Sequence, residues 1–395
     1  MNERKSLVLN EREVLKVLVV VTQLNRGGIE SRLMDILRKM DYSQVQIDIF
    51  TCRKEPGIHD GEAKKLGSVI YYNEPLTVRN MFGYVKYFEN FLTNHPEYKI
   101  VHAQQDAWCS VFCKGAFNAG VPIRIAHSRT AISTFSLKNL CKNIIKLPCR
   151  KYATHYFAVS GKAGKWLFGK RLCNSGKVNI WKNAIDCEAY RYDEIIREEE
   201  RNKLKISQEE IVLIHVGNFT TPKNHSFLIN VFEQVLKKDT NAILILVGGT
   251  ALEDRNMEHI KTMVSDKNLD GKVMFLGSRN DVYRLLQAGD IFVFPSLFEG
   301  FPGAVLEAQA SGLPCVISDT ITEEVVLLDS VKTISLNESC EKWAEVILST
   351  RNIKREDTFE KIVQEGFHID KLVCELTEFY EKEAENYVIS KKTKE

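Results

Sequence analysis

At 395 residues the chain is longer than a single hydrophobic core normally fills, so two domains of about 180 residues each are expected. Hydrophobic residues make up 44% and charged residues 27%, which excludes a disordered or fibrous chain, and a formal net charge of +2 argues against a dedicated nucleic-acid binder. No stretch reaches eighteen apolar residues; the first apolar segment, 14–21, is too short to span a bilayer and lacks a signal peptide's cleavage region.

Residues 17–21 are a continuous apolar run, as a strand covered on both faces requires. Asn25-Arg26-Gly27-Gly28 read as the turn after it, and 30–40 as an amphipathic helix with Ile29, Leu33, Ile36 and Leu37 inward. Further strands are expected at 44–50, 99–102, 123–127 and 156–159, separated by helical segments, which is the rhythm of a parallel sheet. Between Asp106 and Asp186 there is no Asp or Glu, whereas fourteen lysines and arginines occur. Within that block Lys138, Lys142 and Lys146 recur every four residues and so share a helix face, with Leu137, Leu140, Ile144 and Ile145 elsewhere on the helix. Such a helix is expected to lie on an anionic membrane surface.

The rhythm restarts after the charged segment 187–207, which contains Arg197-Glu198-Glu199-Glu200-Arg201 and reads as the linker region. The first domain is therefore expected at 1–187 and the second at 188–375, followed by a charged helical tail over 376–395. In the second half, strands are expected at 212–216, 242–247, 273–275, 291–294 and 315–318, with helices at 227–238, 254–266 and 281–288. Ten cysteines show neither a C-x-x-C pair nor the spacing of a zinc site, so most should be buried small hydrophobes in a reducing compartment.

The most specific signal spans 294–308. Pro302 suits a first helical position, and good helix-forming sequence follows until Gly312-Leu313-Pro314. A helix N-terminus is thereby placed at the carboxyl end of a strand, where open α/β sheets bind ligands and where phosphate is favoured. Glu299 hangs on the loop and Glu307 lies one to two turns into the helix. These acceptor-only carboxylates can take hydrogen bonds from two vicinal diols, a ribose and a hexose, with a diphosphate between them. Lys223, in the loop 217–225 after the second domain's first strand, is a point charge placed to hold a phosphate. Gly27 and Gly28 lack side chains and so let backbone N–H groups approach the same diphosphate. They do not form G-x-G-x-x-G, which counts against a dinucleotide cofactor.

The string P-S-x-x-E-G-F-P-x-x-x-x-E-A-x-A-x-G-x-P resembles the retaining glycosyltransferases of family 4, in particular those of capsular and exopolysaccharide assembly, and the likeness runs along nearly the whole chain. It implies the α/β GT-B architecture: two Rossmann-like domains whose parallel sheets face an interdomain cleft, with the last helix crossing back onto the first domain. By the same resemblance Glu299, Gly300, Phe301, Pro302, Gly303 and Glu307 bind the donor, with Gly27 and Gly28 opposite. The family has G-R-x-x-x-x-K where this chain has Asn218 and Lys223, and uses both cations on the diphosphate. Asn218 brings no charge, so the phosphate grip is either weaker or shared with another cation, for which Arg279 is a candidate. The loop 277–282, ending at Val282, is implied to cup the base. His127, at the end of a strand, is implied to touch the sugar near the reaction centre, so that His127, Lys223 and Glu299 form the catalytic set. Ser160 and Asn183 match positions at the cleft rim on the acceptor side; Ala184 stands where glycine is usual. No metal and no cofactor are implied, and a front-face displacement fits the lack of an evident nucleophile. The expected activity is retaining transfer of a hexose from a UDP-sugar to a lipid-linked glycan, in the cytoplasm at the inner face of the membrane. A sugar-nucleotide epimerase, a phosphorylase of the same fold and a non-catalytic nucleotide-sugar-binding protein are the alternatives.

Overall fold

The computed structural model describes residues 14–25, 27–130, 137–249 and 256–392, with the backbone alone at 137–139 and 392. Seven parallel strands form the first sheet: β1 (Leu15–Val21), β2 (Val45–Thr51), β3 (Ile70–Tyr71), β4 (Ile100–Ala103), β5 (Ile123–Ser128), β6 (His155–Ala158) and β7 (Val178–Ile180), in the order β3-β2-β1-β4-β5-β6-β7. The unbroken apolar run of β1 is explained by its two covered faces. Val17, Val19 and Val21 enter one core, while Leu18 and Val20 enter the core on the opposite face, as the period of two demands.

Six parallel strands form the second sheet: β8 (Ile211–Val216), β9 (Ala242–Val247), β10 (Val273–Gly277), β11 (Ile291–Phe294), β12 (Cys315–Ser318) and β13 (Val331–Ile334), ordered β10-β9-β8-β11-β12-β13. The order reverses at β1/β4 in one sheet and at β8/β11 in the other, and such switch points open the crevices in which α/β sheets bind ligands. The helices that matter for the site are α1 (Gly28–Lys39), α2 (Leu137–Ile145), α3 (Gly161–Phe168), α4 (Glu194–Leu204), α5 (His225–Lys238), α6 (Val282–Ala288), α7 (Gly303–Ala310) and α8 (Ile369–Lys392).

The charged segment 187–207 is a structured part of the second domain, not a linker. Asp193 caps α4, accepting hydrogen bonds from the N–H groups of Ile195 and Ile196. Arg197 and Arg201, four residues apart, present one face to the end of α6. There Arg197 donates to the carbonyls of Gln287 and Gly289, Arg201 to that of Ala288, and both pair with Asp290. A helix C-terminus with unpaired carbonyls is a natural seat for guanidinium groups.

Several cations of the 106–186 block are likewise consumed by carbonyls, because no carboxylate is near in sequence. Arg124 donates to the carbonyls of Val121, Pro122 and Tyr152, while Lys146 and Arg150 take those of Trp166 and Phe168 at the end of α3. Lys146 therefore does not share a free face with Lys142: it lies past the end of α2 and sits 4.6 Å over the Trp166 ring. The side chain of Lys138 lies outside the described residues. α2 and the turn after it expose three large apolar side chains, Leu140, Ile144 and Leu147, beside Asn143.

Helix α8 starts at Ile369, just after a parallel bridge between Ile185 and His368. It packs on α1 and buries Tyr380, whose hydroxyl lies 2.6 Å from His102 Nδ1 in β4. Six of the ten cysteines are buried and all are free.

Candidate active site

The carboxyl ends of the two sheets enclose a cleft of about 660 Å³. On the first domain its wall is the N-terminus of α1. Gly27 is the cap, in extended backbone, and offers no capping side chain; the Glu30 carboxylate folds back over this end, where a negative group is favoured. On the second domain the wall is the N-terminus of α7 with the loop before it, 299–303. The helix begins at Gly303, so Pro302 is its cap and not its first residue.

The two glutamates lie in this wall, and each already holds a cation. Glu299 is 2.6 Å from Lys223 Nζ and accepts from Ser296 Oγ at 3.2 Å; Lys223 rests over the Phe294 ring. Glu307 crosses the cleft to Arg32 of α1, at 2.6 Å, and Arg32 also donates to the Ala184 carbonyl. Tyr190 lines the cleft beside that pair. Burial lifts the Glu307 carboxyl above the usual carboxylate range, and Arg32 pulls it back. Burial also disfavours the charge on Arg32, but Asp35 and Glu307 outweigh it and raise its affinity for the proton.

Gly300, Phe301, Val282 and Arg279 line the cleft, as do Asn183, whose buried side-chain oxygen has no partner among the described residues, and Asn218. Asn218 ties two loops together, its side-chain oxygen accepting the Gly249 N–H at 3.2 Å. A Cβ at Gly248 would overlap the Gly217 carbonyl, so glycine is needed for these loops to meet. Arg279 is held by both oxygens of Asp281, at 2.8 and 2.6 Å. Like Lys223, Arg279 is therefore already paired with a carboxylate, in a more exposed pair.

Two expected residues lie elsewhere. His127 is not in the wall: its ring is buried, with Nδ1 3.0 Å from His102 Nε2, and the row continues to Tyr380. Burial, then Arg129 and His102, depress the proton affinity of His127 well below that of a free imidazole, and burial takes His102 down to about 3. Ser160 is fully buried as the cap of α3, its Oγ accepting the Ala163 N–H at 3.1 Å. The sequence reading missed Arg32, Tyr190 and Arg129. Arg32 had a usable signal: four residues after Gly28, it lies one helical turn along the same face.

A model of the family described as Glycosyl transferases group 1 matches residues 196–358. EpsF of Bacillus subtilis, named as a glycosyltransferase, is 33% identical over 372 residues, which cover 92% of this chain and 96% of that protein. The capsular polysaccharide biosynthesis glycosyltransferase CapH of Staphylococcus aureus is 25% identical over 93% of this chain and 99% of its own. At 25% identity over 73% of this chain and 76% of its own, the chain is also similar to the Escherichia coli UDP-Gal:alpha-D-GlcNAc-diphosphoundecaprenol alpha-1,3-galactosyltransferase. In fold it matches the crystal structure of Anabaena HepE in complex with UDP and glucose, with a TM-score of 0.71 at 18% identity over 95% of this chain and 99% of that one.

Proposed function

The chain belongs to the group 1 glycosyl transferases and is a transferase of GT-B fold, and from that premise we propose that it moves a hexose from a UDP-sugar to a lipid-linked glycan during assembly of a capsular or extracellular polysaccharide. The observation that carries this reading is the pair of helix N-termini facing each other across the cleft, with Lys223, Glu299 and Glu307 between them. Such ends stabilise the negative charge that develops on a departing diphosphate, usually the largest contribution in this kind of chemistry. Glu307 is matched to a ribose diol and Glu299 to the sugar. Both carboxylates are kept in place by cations until the ligand arrives, so the phosphate draws Lys223 away from Glu299 on binding. The names of CapH and of the Escherichia coli enzyme support a polysaccharide product and a diphosphate-lipid acceptor.

We further propose that transfer needs no bound metal, cations and helix ends supplying the charge, and that the enzyme works in the cytoplasm on the membrane's inner face. Release of UDP from a panel of UDP-sugars, with and without an undecaprenyl-diphosphate-linked acceptor in vesicles, tests the reading. Acceptor-dependent release, unchanged by chelator, is expected. Conversion of the sugar nucleotide without UDP release would identify an epimerase, and binding without any turnover a non-catalytic protein.

A further inference from the structure

Among the described residues, the cleft contains one cation that none of them matches. Arg32, Arg38, Lys223 and Arg279 each hold a carboxylate at 3.1 Å or closer. Arg129, directly after β5, does not: it is 8% exposed, it lines the cleft, and its buried Nε has no acceptor. Among the described residues its side chain has neither a hydrogen bond nor an ion pair, and a charge taken from water without a counter-ion is costly. Its backbone is nevertheless firmly held. The Asp106 carboxylate accepts the N–H groups of Arg129 and Thr130, at 2.7 and 3.0 Å, and the Thr130 hydroxyl at 2.8 Å. Asp106 itself adopts a left-handed φ of 48°, a strained conformation that persists where the surroundings impose it. Strands β1, β4 and β5 are neighbours, so their carboxyl ends bring the α1 N-terminus, Asp106 and Arg129 together. The Glu30 carboxylate, folded over Gly27, and Asp106 are the negative charges that act on Arg129.

We propose that Arg129 is the second cation of the phosphate site: its guanidinium grips the donor diphosphate from the first domain, across from Lys223, and supplies the charge that Asn218 lacks. The proposal rests on the donor reading above. Burial lowers the proton affinity of Arg129 to about 10, which leaves it charged at neutral pH.

Phosphate in this cleft could come from the nucleotide-sugar or from a diphosphate-linked acceptor, and one set of measurements on the full chain separates the sources. Calorimetry with UDP and with inorganic pyrophosphate, and ligand-observed NMR with uridine, are run on wild type, Arg129→Gln, Arg129→Lys and the pair Arg129→Gln with Asn218→Arg. Arg129→Gln should bind UDP and pyrophosphate about ten- to a hundredfold more weakly, the loss of a charged hydrogen-bond partner, and bind uridine as wild type does. Lysine should restore part of the affinity and Asn218→Arg most of it. The proposal is overturned if Arg129→Gln binds UDP within twofold of wild type, including the case in which only the KM for the lipid-linked acceptor rises. It is equally overturned if uridine binding is lost together with UDP binding, which marks a structural role. Pyrophosphate binding that depends on Arg129, without any binding of uridine or UDP, would sink the donor reading and leave Arg129 as a phosphate ligand; a wild type that binds none of the three sinks both.

Discussion

Arg32 and Glu307 face each other across the cleft with side chains about one-tenth exposed, and a buried pair of that kind is far worse broken than absent. Removing one partner leaves an uncompensated charge, a loss of about 3–5 kcal/mol, whereas replacing both by apolar residues of similar volume is often neutral. Arg32→Ala should therefore destabilise strongly in a urea titration, while Arg32→Met with Glu307→Leu should come back close to wild type and bind no UDP. Glu299 behaves differently, because its pair with Lys223 competes with the ligand. Glu299→Gln should bind UDP at least as tightly as wild type and yet turn over more slowly; weaker UDP binding would refute its assignment to the sugar. Glu299, Glu307 and Lys223 were legible because a turn between strand and helix fixes their direction. The spacing from Gly28 places Arg32 on the cleft face of α1, but its pairing with Glu307 was not legible, since that partner comes from the other domain and no local spacing encodes it.

Among the elements, the strands that were legible are the central ones. β9, β11 and β12 end where their apolar runs end, because both faces are covered. The strands not anticipated are β3, β7 and β13, of two to four residues at the sheet edges, too short for any periodicity to register. The segment 187–207 misled for a physical reason: its arginines are charged yet satisfied by the carbonyl end of a neighbouring helix, which composition does not reveal. The motif around Ser160 points to the cleft, and its observed role as the cap of α3 gives a clear test. Ser160→Ala should cost about 1 kcal/mol of stability, read by denaturation, and leave the KM for donor and acceptor unchanged. A raised KM at intact stability would return Ser160 to the cleft rim.

For the molecule as a whole, four buried histidines set the response to acid. Burial is the first cause in each case: His102 is depressed to about 3, His225 to about 4, and His127 and His215 lie well below the ordinary value. The unfolded chain takes up protons near pH 6.5 while the folded one refuses them, so stability is full above about 6.5 and declines as pH falls towards the folded values, by up to about 1.4 kcal/mol per pH unit for each histidine. Melting should occur at clearly lower temperature at pH 5.5 than at pH 7.5, and His225→Gln should lessen the difference; equal melting temperatures would contradict the neutral, buried state of these rings. The proposed work at the membrane would depend on a different balance, between charge and apolar surface on α2. Lys146 is engaged with Trp166, so neutralising it loosens the end of α3 instead of weakening an encounter with lipid. The surface that remains is Leu140, Ile144 and Leu147, with Lys142 and Lys151 nearby in sequence. Each cation near an anionic surface contributes about 1 kcal/mol, screened within a Debye length, and a fully inserted Leu or Ile contributes about 1.5–3 kcal/mol that salt does not screen. Sedimentation with anionic liposomes should therefore fall on raising salt but keep a residue of binding. Ile144→Ser with Leu147→Ser should abolish that residue, whereas Lys142→Gln should reduce only the part that salt removes. If the wild type ignores anionic liposomes at low salt, α2 is an ordinary exposed helix and the acceptor has to reach the cleft from solution.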